Sequence, residues 1–423
     1  GRDRGEQLSK QGKCDRAYHT LPKALGLYRP RLRSRLIRGE DRAIGRQISG
    51  AGTRRQRLLL AQLAFSDLTV EPWLGYSSES AISFLASKVL EPAFRERWKY
   101  TQAQKVFQIA KDSLDKAPVF EGIGQAAIRL SDDGSQRLKG LVAPESTQEK
   151  LLLICQSAAP LCLEILKSPA NPLVITHGSG TVPLFIFVGE NVACEIQELF
   201  KGKSAQRQAL WLNLAKNAQV KHTRQTLEKD ASHWQYLNLN QAEASRYQLA
   251  SHNVGSHLRR QDFDIQLKGP HSSFELKSAS FIESGQHLDQ QISVKHCGQG
   301  TTSKQLINNV GDAKSKITCN GRILIEKHAS KSEASLSNKN LALGDDVTIN
   351  SKPELEIYND DVKCSHGSTI GQLSESELFY LTSRSIDPKK ARTMIARGFL
   401  KNIVDGPIGE KTMLVYDRLL SAR

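Results

Sequence analysis

The spacing of hydrophobic residues changes twice along this chain of 423 residues. Between residues 58 and 150 they recur largely at steps of three and four, which places side chains on one face of a helix. Between residues 151 and 372, short apolar segments alternate with Gly, Asn, Ser and Asp, as in proteins with many short strands. From 373 to 423 the helical spacing returns. The pattern predicts an N-terminal helical domain, a β core and a C-terminal helical domain with these bounds.

The β core is predicted to be a solenoid rather than a sandwich, because its short strands follow one another with few long helical stretches between them. Asn338, Asn340 and Asn350 fit turns between coils, although no strict repeat is visible. Predicted strands include residues 173–176, 183–188, 263–267, 323–325, 347–349 and 355–358.

Two helix starts can be located in the C-terminal segment. Ser374 and Glu377 have the spacing of a capping box. Asp387 followed by Pro388 is typical of an N-cap with proline at the first helical position. Such terminal helices either cover the β core or offer a docking surface, and the pattern favours neither.

The net charge of +15 is concentrated at one end of the chain. Residues 1–57 hold thirteen Arg and three Lys against five acidic residues, so the remainder carries only about +4. We interpret residues 1–57 as a disordered or non-native extension, with attraction to RNA or a membrane as the alternative. The nearly neutral remainder disfavours nucleic acid as a partner, and no apolar run approaches the ~18–20 residues of a membrane span.

The seven cysteines are scattered, odd in number and without a C-x-x-C pair. This favours reduced thiols in a cytosolic protein over a disulfide framework.

Two short motifs imitate enzyme signatures. Residues 202–204 read Gly-Lys-Ser, but a phosphate loop needs a glycine where the chain has Gln197. Residues 177–180 resemble a nucleophile elbow, but His177 and Thr181 stand where that turn needs glycine. Neither motif predicts a nucleotide site or a hydrolase.

Asp262, Asp264 and Asp289 leave an enzymatic alternative open. β-Solenoids often host polysaccharide enzymes, and a glycosidase needs two carboxylates facing one cleft. Because the sequence does not show that these carboxylates meet, capping of the backbone is the favoured interpretation.

Cys364 and His366 are the strongest candidate for chemistry. They follow a stretch that alternates like a strand, and a glycine-bounded turn is expected after them. Residues i and i+2 of a strand point to the same face, about 6.5–7 Å apart. Two ligands cannot close a tetrahedral metal site, so any metal here needs further ligands, plausibly from a second protein. On spacing alone, a buried thiol beside a hydrogen-bonded imidazole is the favoured interpretation.

The preference for a buried thiol changes when the full sequence of residues 353–371 is considered. It reads Pro-Glu-Leu-Glu-Ile-Tyr-Asn-Asp-Asp-Val-Lys-Cys-Ser-His-Gly-Ser-Thr-Ile-Gly. It resembles the signature of the SufD family, a scaffold subunit of the SUF iron–sulfur cluster assembly system. Three further short motifs occur in the order expected for this family, at residues 97–101, 338–341 and 379–386. The similarity spans about 78–404 and is dense after residue 286.

This resemblance implies a right-handed parallel β-helix flanked by helical segments. It also implies a complex with a SufB-like subunit and a SufC-like ATPase, in the bacterial cytosol or the plastid stroma. In the family, the residue matching His366 lies at the interface with SufB, where a nascent cluster assembles, and the residue matching Cys364 lies beside it. Both are therefore expected to be transient metal ligands shared with SufB.

The helices of the C-terminal segment are implied to dock the ATPase, which alone binds ATP. Reduced flavin is associated with the complex as a whole, and no flavin residue is assigned. The docking residues implied by the resemblance are Phe379, Tyr380, Leu381, Arg384, Ile386, Met394, Ile395 and Phe399.

The sequence thus predicts a non-catalytic scaffold subunit for iron–sulfur cluster assembly. A β-helix carbohydrate-active enzyme and a basic-tailed RNA-binding protein are the alternatives.

Overall fold

The structure is a computed structural model. It describes residues 58, 78–89, 91, 98, 117–122, 128–131, 161–178, 182–202, 205–229 and 231–422. The predicted extension at 1–57 and most of the predicted N-terminal helical domain lie outside these residues.

The chain divides into two compact units. In the first, residues 1–67 and 82–92, the structure describes chiefly a helix, in which Leu85 and Ala86 are buried. This helix, α1, spans Ser78–Val89 and begins in the second unit. The second unit contains every described strand and the three C-terminal helices. The bounds of the four predicted segments, 1–57, 58–150, 151–372 and 373–423, stay a prediction.

Two nine-stranded sheets form the body of the second unit. In spatial order, sheet I contains β1 Val119–Glu121, β4 Leu173–His177, β6 Ala193–Phe200, β8 Gln219–Thr226, β10 Arg246–Val254, β12 Ser273–Ile282, β14 Thr302–Gly311, β16 Ser332–Ala342 and β18 Val362–Gln372. Sheet II contains β2 Ile128–Ser131, β3 Leu161–Ile165, β5 Leu184–Val188, β7 Gln206–Leu214, β9 His233–Gln241, β11 Arg259–Leu267, β13 His287–His296, β15 Lys316–Ile325 and β17 Thr348–Ile357.

From β3 onward, consecutive strands alternate between the two sheets, and from β3 and β4 onward all pairings are parallel. Each coil therefore adds one strand to each sheet, and the predicted parallel β-helix is confirmed. The antiparallel pairings of β1 with β4 and of β2 with β3 lie at the N-terminal end. The sequence did not indicate these two short strands, which interrupt the segment predicted to be helical.

The coils vary in length, which explains why no repeat is visible. Register partners lie 26 residues apart at His233 and Arg259, but 32 apart at Lys316 and Thr348. The turns from sheet II to sheet I repeatedly contain one residue in the left-handed region of backbone conformation. Residues other than glycine are disfavoured in that region. These left-handed turn residues are Asn191, Asn217, Ala244, His271, Gly300 and Lys331.

The predicted turn asparagines are placed differently. Asn338 and Asn340 lie inside β16 and are buried, and Asn350 lies in β17, so their assignment to turns was wrong. Asn309 Nδ2 donates to Asn340 Oδ1 over 3.1 Å, which shows the reason. An asparagine amide on one coil satisfies the amide of the next, a pairing between residues about thirty positions apart that local sequence does not reveal.

Three helices follow the β-helix: α2 Glu375–Thr382, α3 Pro388–Lys401 and α4 Gly406–Ser421. Both predicted helix starts are confirmed. Ser374 caps α2 by accepting from the Glu377 backbone N–H, and Asp387 caps α3 with Pro388 following. Helices α3 and α4 pack with Val254, Phe281 and other residues of sheet I in a second hydrophobic cluster outside the β-helix interior.

Candidate functional site

Cys364 and His366 lie on β18, the last strand of sheet I. β18 pairs in parallel with β16, which places Cys364 opposite Ala334 and His366 opposite Leu336. Ala334 and Leu336 both belong to the core inside the β-helix. Cys364 and His366 therefore share the face directed toward the end of that interior, as the spacing of two predicts. The glycine-bounded turn expected after them was wrong, because β18 continues to Gln372.

The thiol and the imidazole differ in exposure. Cys364 is half-buried and packs against the core, while His366 is exposed. Partial burial raises the pKa of the Cys364 thiol, an effect opposed by a hydrogen bond with the Ala334 backbone. The free site thus presents a neutral thiol at neutral pH beside an accessible imidazole. A metal that binds here has to displace the thiol proton.

The edges of β17 and β18 form the open end of the β-helix. Neither edge pairs with a further strand among the described residues. Three large apolar side chains are exposed there: Ile357, Tyr358 and Ile370, the last at 58%. Edge strands with free N–H and C=O groups and exposed apolar side chains are ready to pair with another chain. Sequence analysis did not single out Ile370, since an apolar residue in an alternating strand is ordinarily assigned to the core.

The predicted docking residues fall into two groups. Phe379 and Tyr380 on α2 and Met394 on α3 are exposed, and the Arg384 guanidinium lies 3.6 Å from the centre of the Tyr380 ring. The others are half-buried, and among them Phe399 packs against the helix cluster: they are Leu381, Ile386, Ile395 and Phe399. Leu414 on α4, 66% exposed, was missed by the sequence analysis.

The C-terminal helices are fixed to the outer face of sheet I by buried hydrogen bonds. The Tyr416 hydroxyl lies 2.7 Å from the Ala279 carbonyl oxygen and accepts from the Asn253 backbone N–H over 3.1 Å. Thr412 Oγ1 lies 3.0 Å from His252 Nδ1. These contacts join α4 to β10 and β12 and anchor this helix to the β-helix.

The opposite end of the β-helix encloses a buried ionic cluster. Glu198 Oε1 lies 2.7 Å from His177 Nε2, and Glu198 Oε2 lies 2.6 Å from Arg224 Nε and 3.4 Å from His222 Nε2. All four side chains have no solvent exposure. Burial by itself raises the pKa of Glu198, but the Arg224 charge and the histidine hydrogen bonds outweigh it and hold that pKa well below its ordinary value.

Two of the three aspartates behind the carbohydrate-enzyme alternative are held in buried ion pairs. Asp262 and Asp289 are buried and pair with Arg260, at 2.8 Å from Nε and 3.0 Å from Nη1. Trp234 Nε1 also donates to Asp262. Carboxylates held in this way do not face an open cleft, which disfavours a glycosidase. The basic stretch behind the RNA-binding alternative lies outside the described residues.

Within the part of the chain that the structure describes, no three His, Cys, Asp or Glu side chains are placed to hold a metal ion together. Cys364 and His366 supply two such groups on one face. The described residues also include no helix that is long and apolar enough to cross a membrane.

Fold and site together define a class: parallel β-helix proteins whose last strand carries a thiol and an imidazole at an open end. The family model for SUF system FeS cluster assembly, SufBD core domain, matches residues 177–399, more than half of the chain. The chain belongs to this family. It is therefore a SufBD-family protein of iron–sulfur cluster assembly, as the wording of residues 353–371 had indicated.

Individual relatives agree with this assignment. The chain is 27% identical over 282 residues to iron-sulfur cluster assembly protein SufD of Escherichia coli (strain K12), which covers 62% of this chain and 67% of that protein. It is 30% identical over 258 residues to an iron-sulfur cluster assembly SufBD family protein of Synechocystis, with 57% of each covered. It is 30% identical over 230 residues to Protein ABCI7, chloroplastic, of Arabidopsis thaliana, covering 52% of this chain and 48% of that protein. The chain thus spans about half to two thirds of the length of these relatives.

Proposed function

We propose that this chain is a non-catalytic scaffold subunit of an iron–sulfur cluster assembly complex. It pairs with a SufB-like subunit through the open end of its β-helix and contributes Cys364 and His366 to a nascent cluster. It docks a SufC-like ATPase through α2 and α3. The observation that carries the proposal is the position of Cys364 and His366 on β18, whose outer edge pairs with no described strand.

The donor chemistry suits a cluster that is held briefly. Thiolate and imidazole are established ligands of iron in iron–sulfur chemistry. Two donors do not complete a site, so the SufB-like subunit supplies the others. Because partial burial raises the pKa of Cys364, iron competes with a proton for the sulfur. The cluster is cargo of this site, and separation of the two subunits removes half of its ligands.

The pairing surface is supported by the state of the two edges. An added strand can extend a sheet through main-chain hydrogen bonds, with alternate side chains providing specificity. The partner's strands would extend both β17 and β18 and cover Ile357, Tyr358 and Ile370, which are exposed in this chain. Burial of such apolar side chains contributes about 25 cal/mol per Å² of area removed from water.

The ATPase surface comprises the exposed side chains Phe379, Tyr380 and Met394. Aromatic residues and methionine are enriched in interface cores, which agrees with this role. ATP binds to the SufC-like subunit alone, and reduced flavin belongs to the complex as a whole, with no residue of this chain assigned to it. The proposed location is the bacterial cytosol or the plastid stroma.

The test is co-expression of this chain with SufB-like and SufC-like subunits, followed by anaerobic purification. We expect a stable complex that carries a cluster, seen by absorption and by iron and sulfide content. His366→Ala should reduce cluster formation strongly while the complex still assembles, because His366 is exposed and little packing is lost. His328→Ala, at another exposed histidine, is the matched control. Normal cluster formation in His366→Ala would refute the assigned role.

A further inference from the structure

A chain of hydrogen bonds runs through the interior of the β-helix and ends beside His366. Asn309 Nδ2 donates to Asn340 Oδ1, and Asn340 Nδ2 donates to Asn338 Oδ1, each over 3.1 Å. Asn338 Nδ2 then donates to Ser351 Oγ over 2.8 Å, and Ser351 Oγ lies 2.7 Å from Ser368 Oγ. The three asparagines are buried, whereas the last hydroxyl is exposed. We call these five residues the amide–hydroxyl chain.

The direction of this chain is set by its amides. Asn309 on β14 donates to Asn340 on β16, Asn340 donates along β16 to Asn338, and Asn338 donates to Ser351 on β17. Among the described residues, Ser368 Oγ is the acceptor that the Ser351 hydroxyl reaches. Either hydroxyl of this pair could donate, and successive donation in one direction strengthens each bond, which favours Ser351 as the donor.

The proton of the Ser368 hydroxyl is consequently free to point outward. Ser368 is two residues beyond His366 and four beyond Cys364 on β18. All three therefore share one face of the strand, with about 6.5–7 Å between neighbours. His366 stands between a thiol on one side and a hydroxyl donor on the other.

We infer that Ser368 donates a hydrogen bond to anionic sulfur, sulfide or thiolate, of a species bound at Cys364 and His366. This inference rests on the proposed function and adds a residue to that site. The amide–hydroxyl chain polarises the Ser368 hydroxyl and orients its proton. Hydrogen bonds to the sulfurs are among the factors that set the reduction potential of an iron–sulfur cluster.

The test uses the co-expressed complex, with clusters formed from ferrous iron and sulfide under anaerobic conditions. Ser368→Ala should move the cluster's reduction potential to a more negative value, because the reduced and more negatively charged cluster loses a donor. It should also speed chelator-driven loss of the cluster roughly tenfold, the ratio expected for one hydrogen bond to a charged group. Ser368→Thr, which keeps the hydroxyl, should restore both properties.

Ser365→Ala is the matched control, since Ser365 lies on the same strand but on the opposite face. A potential and a loss rate in Ser368→Ala equal to those of Ser365→Ala would overturn the inference while leaving the proposed function intact. An unmodified complex that never holds a cluster would instead refute the proposed function. If Ser368→Ala prevents assembly, Ser351→Ala replaces it. That variant should shift the potential in the same direction by less, and an unchanged potential would overturn the inference.

Discussion

The two ends of the β-helix differ in whether the chain covers the edges of its own sheets. At the N-terminal end, the chain covers its own sheet edges with the antiparallel strands β1 and β2. At the C-terminal end, β17 and β18 leave their edges without a further strand among the described residues. The first coils enclose charged side chains without solvent exposure, whereas almost all of β18 is exposed. An open sheet edge has backbone groups that can pair with another chain. Here the same edge also carries the candidate ligands.

The largest effect on stability is expected in acid, where histidines that are buried away from the open end become charged. Burial lowers the pKa values of His252 and His296 to about 4. Such groups stabilise the fold fully above about pH 6.5, the unfolded value, and this stability is lost as pH falls toward the folded value. Glu198, with its pKa held well below its ordinary value, adds a loss at still lower pH.

At pH 5 the two histidines should each cost on the order of 2 kcal/mol relative to neutral pH. Urea unfolding followed at pH 7.5 and pH 5 measures this loss. His296→Gln should flatten the profile, because it removes one titrating group from the interior. Equal free energies of unfolding at the two pH values would contradict the buried, neutral state assigned to these histidines.

An effect of similar size is expected from breaking the ionic cluster of the closed end. Glu198→Ala leaves Arg224 buried without its carboxylate, which ordinarily costs about 3–5 kcal/mol. Urea unfolding at neutral pH measures the loss. Glu195, three residues earlier and on the opposite face of β6, supplies the control: Glu195→Ala should change stability by less than about 0.5 kcal/mol.

The smallest effect on stability is expected at the open end. Ile370→Ser should change the free energy of unfolding of the isolated chain by less than about 0.5 kcal/mol, because the side chain is largely exposed. The same variant should weaken association with the SufB-like subunit, measured by sedimentation of the mixed proteins. Leu414→Ser alters an equally exposed apolar residue on α4 and should leave that association unchanged. A strong loss of monomer stability in Ile370→Ser would show that this end is closed within the chain.

Local pattern predicted the parts of the site that depend on local geometry. The common face of Cys364 and His366 follows from a period of two, and the caps at Ser374 and Asp387 follow from side chains that bind nearby backbone groups. The glycine-bounded turn that was expected after His366 is instead a continuation of β18, which includes Gly367. On this exposed edge, a side chain at position 367 would meet no neighbouring atom within 4 Å, so glycine is tolerated there.

Features that depend on pairing between coils could not be predicted. Asn338 donates to Ser351, a partner on the other sheet, and nothing near either residue in the sequence signals that contact. The left-handed turns escape recognition because residues as different as Asn191, Ala244 and Lys331 occupy the same conformation. Stacking against the neighbouring coil holds each of them there, so backbone position is shared while side-chain identity is not.

The Tyr416 hydroxyl connects helix α4 to strands in the middle of sheet I. It is bonded to backbone groups of β10 and β12, and β12 is three strand spacings, roughly 14 Å, from β18. A pull on α4 would thus act on the middle of the cylinder rather than on its rim.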